Sequence, residues 1–147
     1  MIFGIPRAPL VLALAGLIPF FWGAATTLVP GLGAWGIANL GGRFVGPFVQ
    51  LFYGAVILSF MSGVLWGFAT KSEDWVKYAL SVVPALWAFF MTGGGPVTAS
   101  INLIVGFLGL LLIETHFVTA GLTPHWWMRL RLLITGLVIL ALLPGAL

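Results

Sequence analysis

The chain has 147 residues, 61% of them apolar and 6% charged, with six Lys or Arg against three Asp or Glu for a net charge of +3. Its mean hydropathy of +1.18 is that of a protein dissolved in lipid, not of a water-soluble domain. The absence of cysteine excludes disulfides, thiolate zinc sites, iron–sulfur ligation and a cysteine nucleophile, and six scattered basic residues make no nucleic-acid-binding face.

Taken in chain order, five apolar stretches are bracketed by their punctuation: Pro9 to Leu28, Pro47 to Thr70, Trp75 to Thr92, Val97 to Phe117 and Trp127 to Leu143. A hydrocarbon core of ~30 Å needs about 20 helical residues to cross it. Backbone groups in lipid must be satisfied within the segment or in a closed barrel, and continuous apolar runs without two-residue alternation argue against barrel strands. The pattern predicts an all-α integral membrane bundle of five transmembrane helices forming one domain over residues 1–147. Arg7 alone precedes the first run, and no small-x-small cleavage site follows it, which points to a retained span. The connections are a glycine-rich stretch from Val29 to Gly46, a charged one from Lys71 to Asp74, a tight turn from Gly93 to Pro96, and Val118 to Trp126. Gly93-Gly94-Gly95-Pro96 lacks the lysine and strand of a phosphate-binding loop.

Charge placement predicts orientation. With five spans, Arg7, Lys71, Lys77, Arg129 and Arg131 share one side and only Arg43 lies on the other. The positive-inside rule then places the N-terminus in the cytoplasm and the C-terminus in the periplasm or its equivalent. These cations also suit contact with anionic lipid headgroups.

Two helix faces carry small residues. In the second span Ser59, Gly63 and Gly67 recur every four residues beside Ser62, Trp66 and Thr70; in the fourth, Asn102, Gly106 and Gly109 share a face. Small-xxx-small faces let helices approach closely in lipid, and both are expected to pack, the first against another helix of the same chain. Asn102 is expected to bond a neighbouring helix. Gly16, Pro19 and Gly23 in the first span and Ser81 and Pro84 in the third mark sites of kinking, which is compatible with a cavity.

One polar constellation remains. Glu114 is the only acidic residue outside the second loop, and His116, His125, Trp126, Trp127, Arg129 and Arg131 fall on its side of the membrane. Ionisable groups at span ends are costly unless paired, so Glu114 is expected to pair with Arg129 or Arg131 in a clamp between the last two spans, with the indoles as interfacial anchors. A haem or metal role for His116 or His125 lacks neighbouring ligands, proton transfer lacks a continuing relay, and an Arg pair beside indoles suits a lipid headgroup or an acidic cofactor tail. No nucleophile, base and oxyanion set is visible.

Tyr53-Gly54-Ala55-Val56-Ile57-Leu58-Ser59-Phe60, followed by Gly63, Trp66 and Gly67, resembles the second-span signature of the bacterial and mitochondrial family that includes transmembrane protein 69. His125-Trp126-Trp127-Met128-Arg129-Leu130-Arg131-Leu132 resembles the opening of that family's last span. The resemblance covers nearly the whole chain and implies residence in the bacterial inner membrane or the mitochondrial inner membrane. It implies no activity. Where the family pattern carries an Asp near the end of the fourth span, this chain has Glu114 and His116. A likeness to the tryptophan-rich sensory proteins, small five-span binders of tetrapyrroles, is architectural only.

The expectation that follows is a non-enzymatic accessory, assembly or stabilising subunit of a larger inner-membrane complex, in contact with the bilayer and with other membrane subunits or a second copy of itself. The alternative is a carrier or sensor of a lipophilic ligand such as a lipid, a quinone or a tetrapyrrole. No resident cofactor is specified.

Overall fold

Pro19 has no backbone N–H to complete the helical ladder, which disposes the first apolar stretch to kink or break just before it. In the computed structural model, which describes all 147 residues, α1 (Arg7–Ala15) and α2 (Ile18–Leu28) join through a tight turn at Gly16 and Leu17. The Leu17 N–H there bonds Leu14 O instead of continuing the four-residue ladder. Together they still make a 22-residue apolar segment.

The connection after α2 is more structured than its glycine content suggests. α3 (Pro30–Leu40) is a helix in its own right, started by Pro30 in its first turn and ended at Gly41, whose φ of +93° only glycine adopts freely. Glycine is what lets α3 lie against α2: a Cβ on Gly33 would come within 2.7 Å of the Thr26 carbonyl oxygen. Trp22 fastens the return of the chain by donating from Nε1 to Phe44 O at 2.6 Å. At 11 residues, α3 reaches only about 16 Å and is too short to cross a bilayer.

The other helices follow the apolar stretches. They are α4 (Phe48–Ala69), α5 (Trp75–Met91), α6 (Pro96–Thr119) and α7 (Trp127–Ala146). The α1–α2 segment, α4, α6 and α7 are long and apolar enough to span; α5 is apolar but 17 residues long, about 26 Å of helix. Asp74 caps α5 through Oδ1, accepting from the Val76 N–H. Pro84 interrupts its ladder, and Ser62 of α4 accepts the Ala85 N–H at 2.8 Å. The spans correspond to four long helices and one short one.

α2, α4, α6 and α7 share a core in which Phe20, Leu58, Leu65, Leu103, Phe107, Leu110 and Leu142 are fully buried, and α5 packs on α4 and α6 from outside. Burial of each such side chain contributes ~1.5–3 kcal/mol where water is the alternative; between helices in lipid, dispersion and close fit carry more of the work. Gln50 ties three helices at one end, its Nε2 donating to Phe20 O and Ala141 O at 2.7 Å each. At the other end Lys71 Nζ donates to Leu122 O, and Arg129 lies over Gly4 of the N-terminal turn. The N-terminus, the α4–α5 loop and the α6–α7 loop therefore share one end of the bundle. Gly145, packed beside Ser100 and Pro47, puts the C-terminus at the opposite end.

One packing expectation is corrected. Ser59, Gly63 and Gly67 do not meet another helix of this chain: all three are exposed, and a Cβ on either glycine would have nothing within 4 Å. The buried face of α4 is instead Gly54, Leu58, Met61, Ser62, Leu65 and Ala69. There Leu58 and Leu65 offer interlocking bulk that a flat face lacks. On α6 the expected face is half right. Asn102 Nδ2 donates to Met91 O at 2.8 Å and Gly106 is buried against Trp87 and Leu58, while Gly109 has open space beside it.

Candidate functional site

α7 places Trp127, Arg131 and Thr135 at four-residue intervals, and so on one face that looks toward the end of α6. Glu114, 0% exposed, meets them there. Nε of Arg131 donates to both carboxylate oxygens, at 2.9 and 3.1 Å, and Trp127 Nε1 donates to Oε2 at 2.6 Å. Of the two arginines expected as partners, Arg131 holds the carboxylate. Arg129 is exposed and makes no salt bridge with it. The reason is rotational: Arg129 sits two residues from Arg131, about 200° around the helix.

Arg131 engages Glu114 through one nitrogen only. Nη2 makes one long bond to Thr135 Oγ1 at 3.4 Å, and Nη1 makes none within the chain. The side-chain atoms sealed in the interior without a partner are Gln50 Oε1 and Ser100 Oγ. Nη1 is therefore accessible, and Arg131 lines a cleft of about 380 Å³.

The cleft lies beside the α1–α2 turn. Leu12, Ala13, Gly16 and Leu17 form one wall, and Tyr53 and Ile57 of α4, Phe107 of α6 and Ile134 of α7 form the others. Most of the wall is apolar; Arg131, Thr135 and the Tyr53 hydroxyl are its polar points. Phe20 packs edge-on against both Tyr53 and Phe107, at centroid distances of 5.2 and 5.9 Å, which fixes the aromatic side of the wall. The cleft falls within the size of small-molecule sites and has their character, a mostly apolar enclosure with a few converging polar groups.

The remaining residues of the expected cluster lie apart from it. His116 is exposed on α6, its Nδ1 3.2 Å from Leu112 O, and His125 is exposed in the last loop. Neither touches Glu114, and no three His, Asp or Glu side chains converge anywhere in the chain. Trp126 is half-buried and tilted against Trp127, 6.1 Å between centroids. Tyr53 and Thr135 were not among the expected site residues. The four-residue step from Trp127 through Arg131 would have pointed to Thr135, and Tyr53 stood inside the family-like segment as its one hydroxyl-bearing aromatic.

A family described as a protein of unknown function (DUF3429) matches residues 5–147. Transmembrane protein 69 of Xenopus tropicalis is 35% identical over 146 residues, covering 93% of this chain and 53% of its own length. Transmembrane protein 69 of Mus musculus is 32% identical over 137 residues, covering 88% of this chain and 51% of its own. The chain thus spans about half the length of these curated relatives. No solved structure matches. With a match over nearly its whole length, the chain belongs to the DUF3429 family of membrane proteins and is a relative of transmembrane protein 69.

Proposed function

We propose that this multi-pass membrane protein is a non-enzymatic carrier or sensor that holds a lipophilic ligand in the cleft between α1–α2, α4 and α7. The observation that carries the reading is the unpartnered Nη1 of Arg131 at the wall of an otherwise apolar cavity. A guanidinium introduced into an apolar helix merely to neutralise Glu114 would be costly, and its remaining donors need an acceptor. A ligand with a polar end and an apolar body supplies one. Ala13→Trp, which fills the cleft from α1, should abolish retention of a bound molecule; retention by the filled variant contradicts the reading.

A second reading is favoured by a separate observation. The exposed Ser59, Gly63 and Gly67 face of α4, with open space beside both glycines, suits close approach by a helix of another subunit, as an accessory or assembly role requires.

Both readings place the chain in a bacterial or mitochondrial inner membrane with five crossings, α5 included and α3 lying at the interface. Arg131 is neutralised inside the bundle, so the orientation argument rests on Arg7, Lys71, Lys77 and Arg129 against Arg43. Four against one still favours a cytoplasmic N-terminus. A reporter fused after Leu147 should report the periplasm and one placed after Thr70 the cytoplasm; the reverse pattern would invert the assignment, and equal sides would reduce the number of crossings.

A further inference from the structure

The chemistry of the cleft's polar end narrows the class of ligand, given the ligand-binding reading above. The positive charge of Arg131 is already compensated: Glu114 accepts from Nε with both oxygens, and the pair is sealed, with side-chain exposures of 7% and 0%. An anionic headgroup drawn into the cleft would add an unbalanced charge to a neutral, poorly solvated pair, which is costly in an apolar setting. An uncharged carbonyl oxygen faces no such penalty and takes a charge-assisted hydrogen bond from Nη1. Tyr53 contributes a second polar point. Its hydroxyl lies in the cleft wall, 3.6 Å from the position a Cβ on Gly16 would take, and makes no hydrogen bond within the chain.

The shape of the wall adds a second constraint. Phe20, Tyr53, Phe60, Phe107 and Trp127 all face the cavity, a concentration of rings that favours a flat ring over a branched glycerol ester. Arg131 lies four residues into α7 from Trp127, about 6 Å along the helix, so its guanidinium sits toward the α4–α5 loop end of the bundle, while Tyr53, five residues into α4 from Phe48, marks a second polar level farther along the cleft; Leu12, Ile57, Ile134 and Val138 supply apolar wall for a tail. We propose that the occupant is a quinone-type amphiphile: a flat, uncharged ring bearing carbonyl oxygens on an apolar tail, with one carbonyl accepting from Nη1 of Arg131 and the ring's other polar edge within reach of the Tyr53 hydroxyl.

The test titrates four probes that share a ten-carbon chain into the full chain in phosphatidylcholine nanodiscs, read by native mass spectrometry: decylbenzoquinone, decyl acetate, decyl phosphate and decane. Decylbenzoquinone should bind more tightly than decyl acetate, which has a carbonyl but no flat ring for the aromatic wall, more tightly than decyl phosphate, whose charge is unbalanced there, and about tenfold more tightly than decane, as a charge-assisted hydrogen bond supplies. In the charge-neutral double variant Glu114→Gln with Arg131→Met that preference should fall to about twofold or less, with decane affinity unchanged. Tyr53→Phe keeps the wall and the ion pair, and should lower quinone affinity about threefold with no effect on decane; it supplies the answer should the double variant fail to fold. Equal or tighter binding of the ester or the phosphate overturns the assignment, as does a quinone preference that survives both variants. If all four probes bind alike and Ala13→Trp releases them, the quinone assignment falls and the ligand-binding reading stands. If no probe binds, or Ala13→Trp releases none, both fall.

Discussion

Glu114→Gln alone should destabilise the protein by about 3–5 kcal/mol, because it strands the Arg131 guanidinium inside the bundle and weakens the Trp127 contact at the same time. The companion Arg131→Gln should cost a similar amount by stranding the carboxylate. Together they should cost clearly less than the sum, since the double variant leaves two neutral groups that can still hydrogen bond. Arg129→Gln gives the control: it lies on another face of α7 and should add to Glu114→Gln without coupling. The measurement is a pair of double-mutant cycles scored by thermal unfolding in mild detergent. Additive losses for Glu114 with Arg131, or coupling of Glu114 to Arg129 instead, would refute the geometry that builds the polar end of the cleft.

Substituting glycines on the two small-residue faces should give opposite results. A Cβ on Gly106 would lie 2.7 Å from Trp87 Cδ1, 2.9 Å from its Nε1 and 3.1 Å from a Leu58 methyl. The Trp87 ring has little freedom to yield, because its Nε1 donates to Asn102 O while the Asn102 amide holds Met91 O. Gly106→Leu should therefore cost about 1–3 kcal/mol or more, as added bulk does in a packed interior. Gly63→Leu meets open space and should leave thermal stability within about 0.5 kcal/mol of the parent. If Gly63→Leu instead strips a co-purifying subunit from an otherwise intact protein, the accessory reading gains the support that ligand binding would then have to share. Equal destabilisation by both substitutions would contradict the assignment of the outer face of α4.

How much of this was legible in the chain differs by element, and the physical reasons are specific. The spanning helices announced themselves through uninterrupted apolar length, a property of composition alone. Pairing of Glu114 with an arginine of the last span was legible because it is the only carboxylate outside the charged loop. Choosing Arg131 over Arg129 required the helical phase of Trp127, Arg131 and Thr135, which the sequence contains but charge counting ignores. α3 was hidden because glycine has low helix propensity; its helix exists through contact, with Gly33 and Gly36 letting it approach Thr26 and Val45. The Ser59, Gly63 and Gly67 stripe misled because small residues permit close packing without saying which side of the helix a neighbour occupies. Gln50 carries a signal of its own, a lone amide just after Pro47 in a span, where donors left unpaired would be costly; its Nε2 bridges Phe20 O and Ala141 O. The cleft itself could not be read from periodicity. It lies between the α1–α2 turn, α4, α6 and α7, a relation between helices and not within one.

The most direct measurement is the native mass of the protein ejected from nanodiscs, wild type beside Ala13→Trp. Occupancy of the cleft predicts one bound small molecule per chain in the wild type, retained at collision energies that strip annular lipid, and its loss in Ala13→Trp with the protein's thermal stability maintained. A wild-type chain that flies bare under those conditions, or an adduct that Ala13→Trp retains at full stoichiometry, would contradict it.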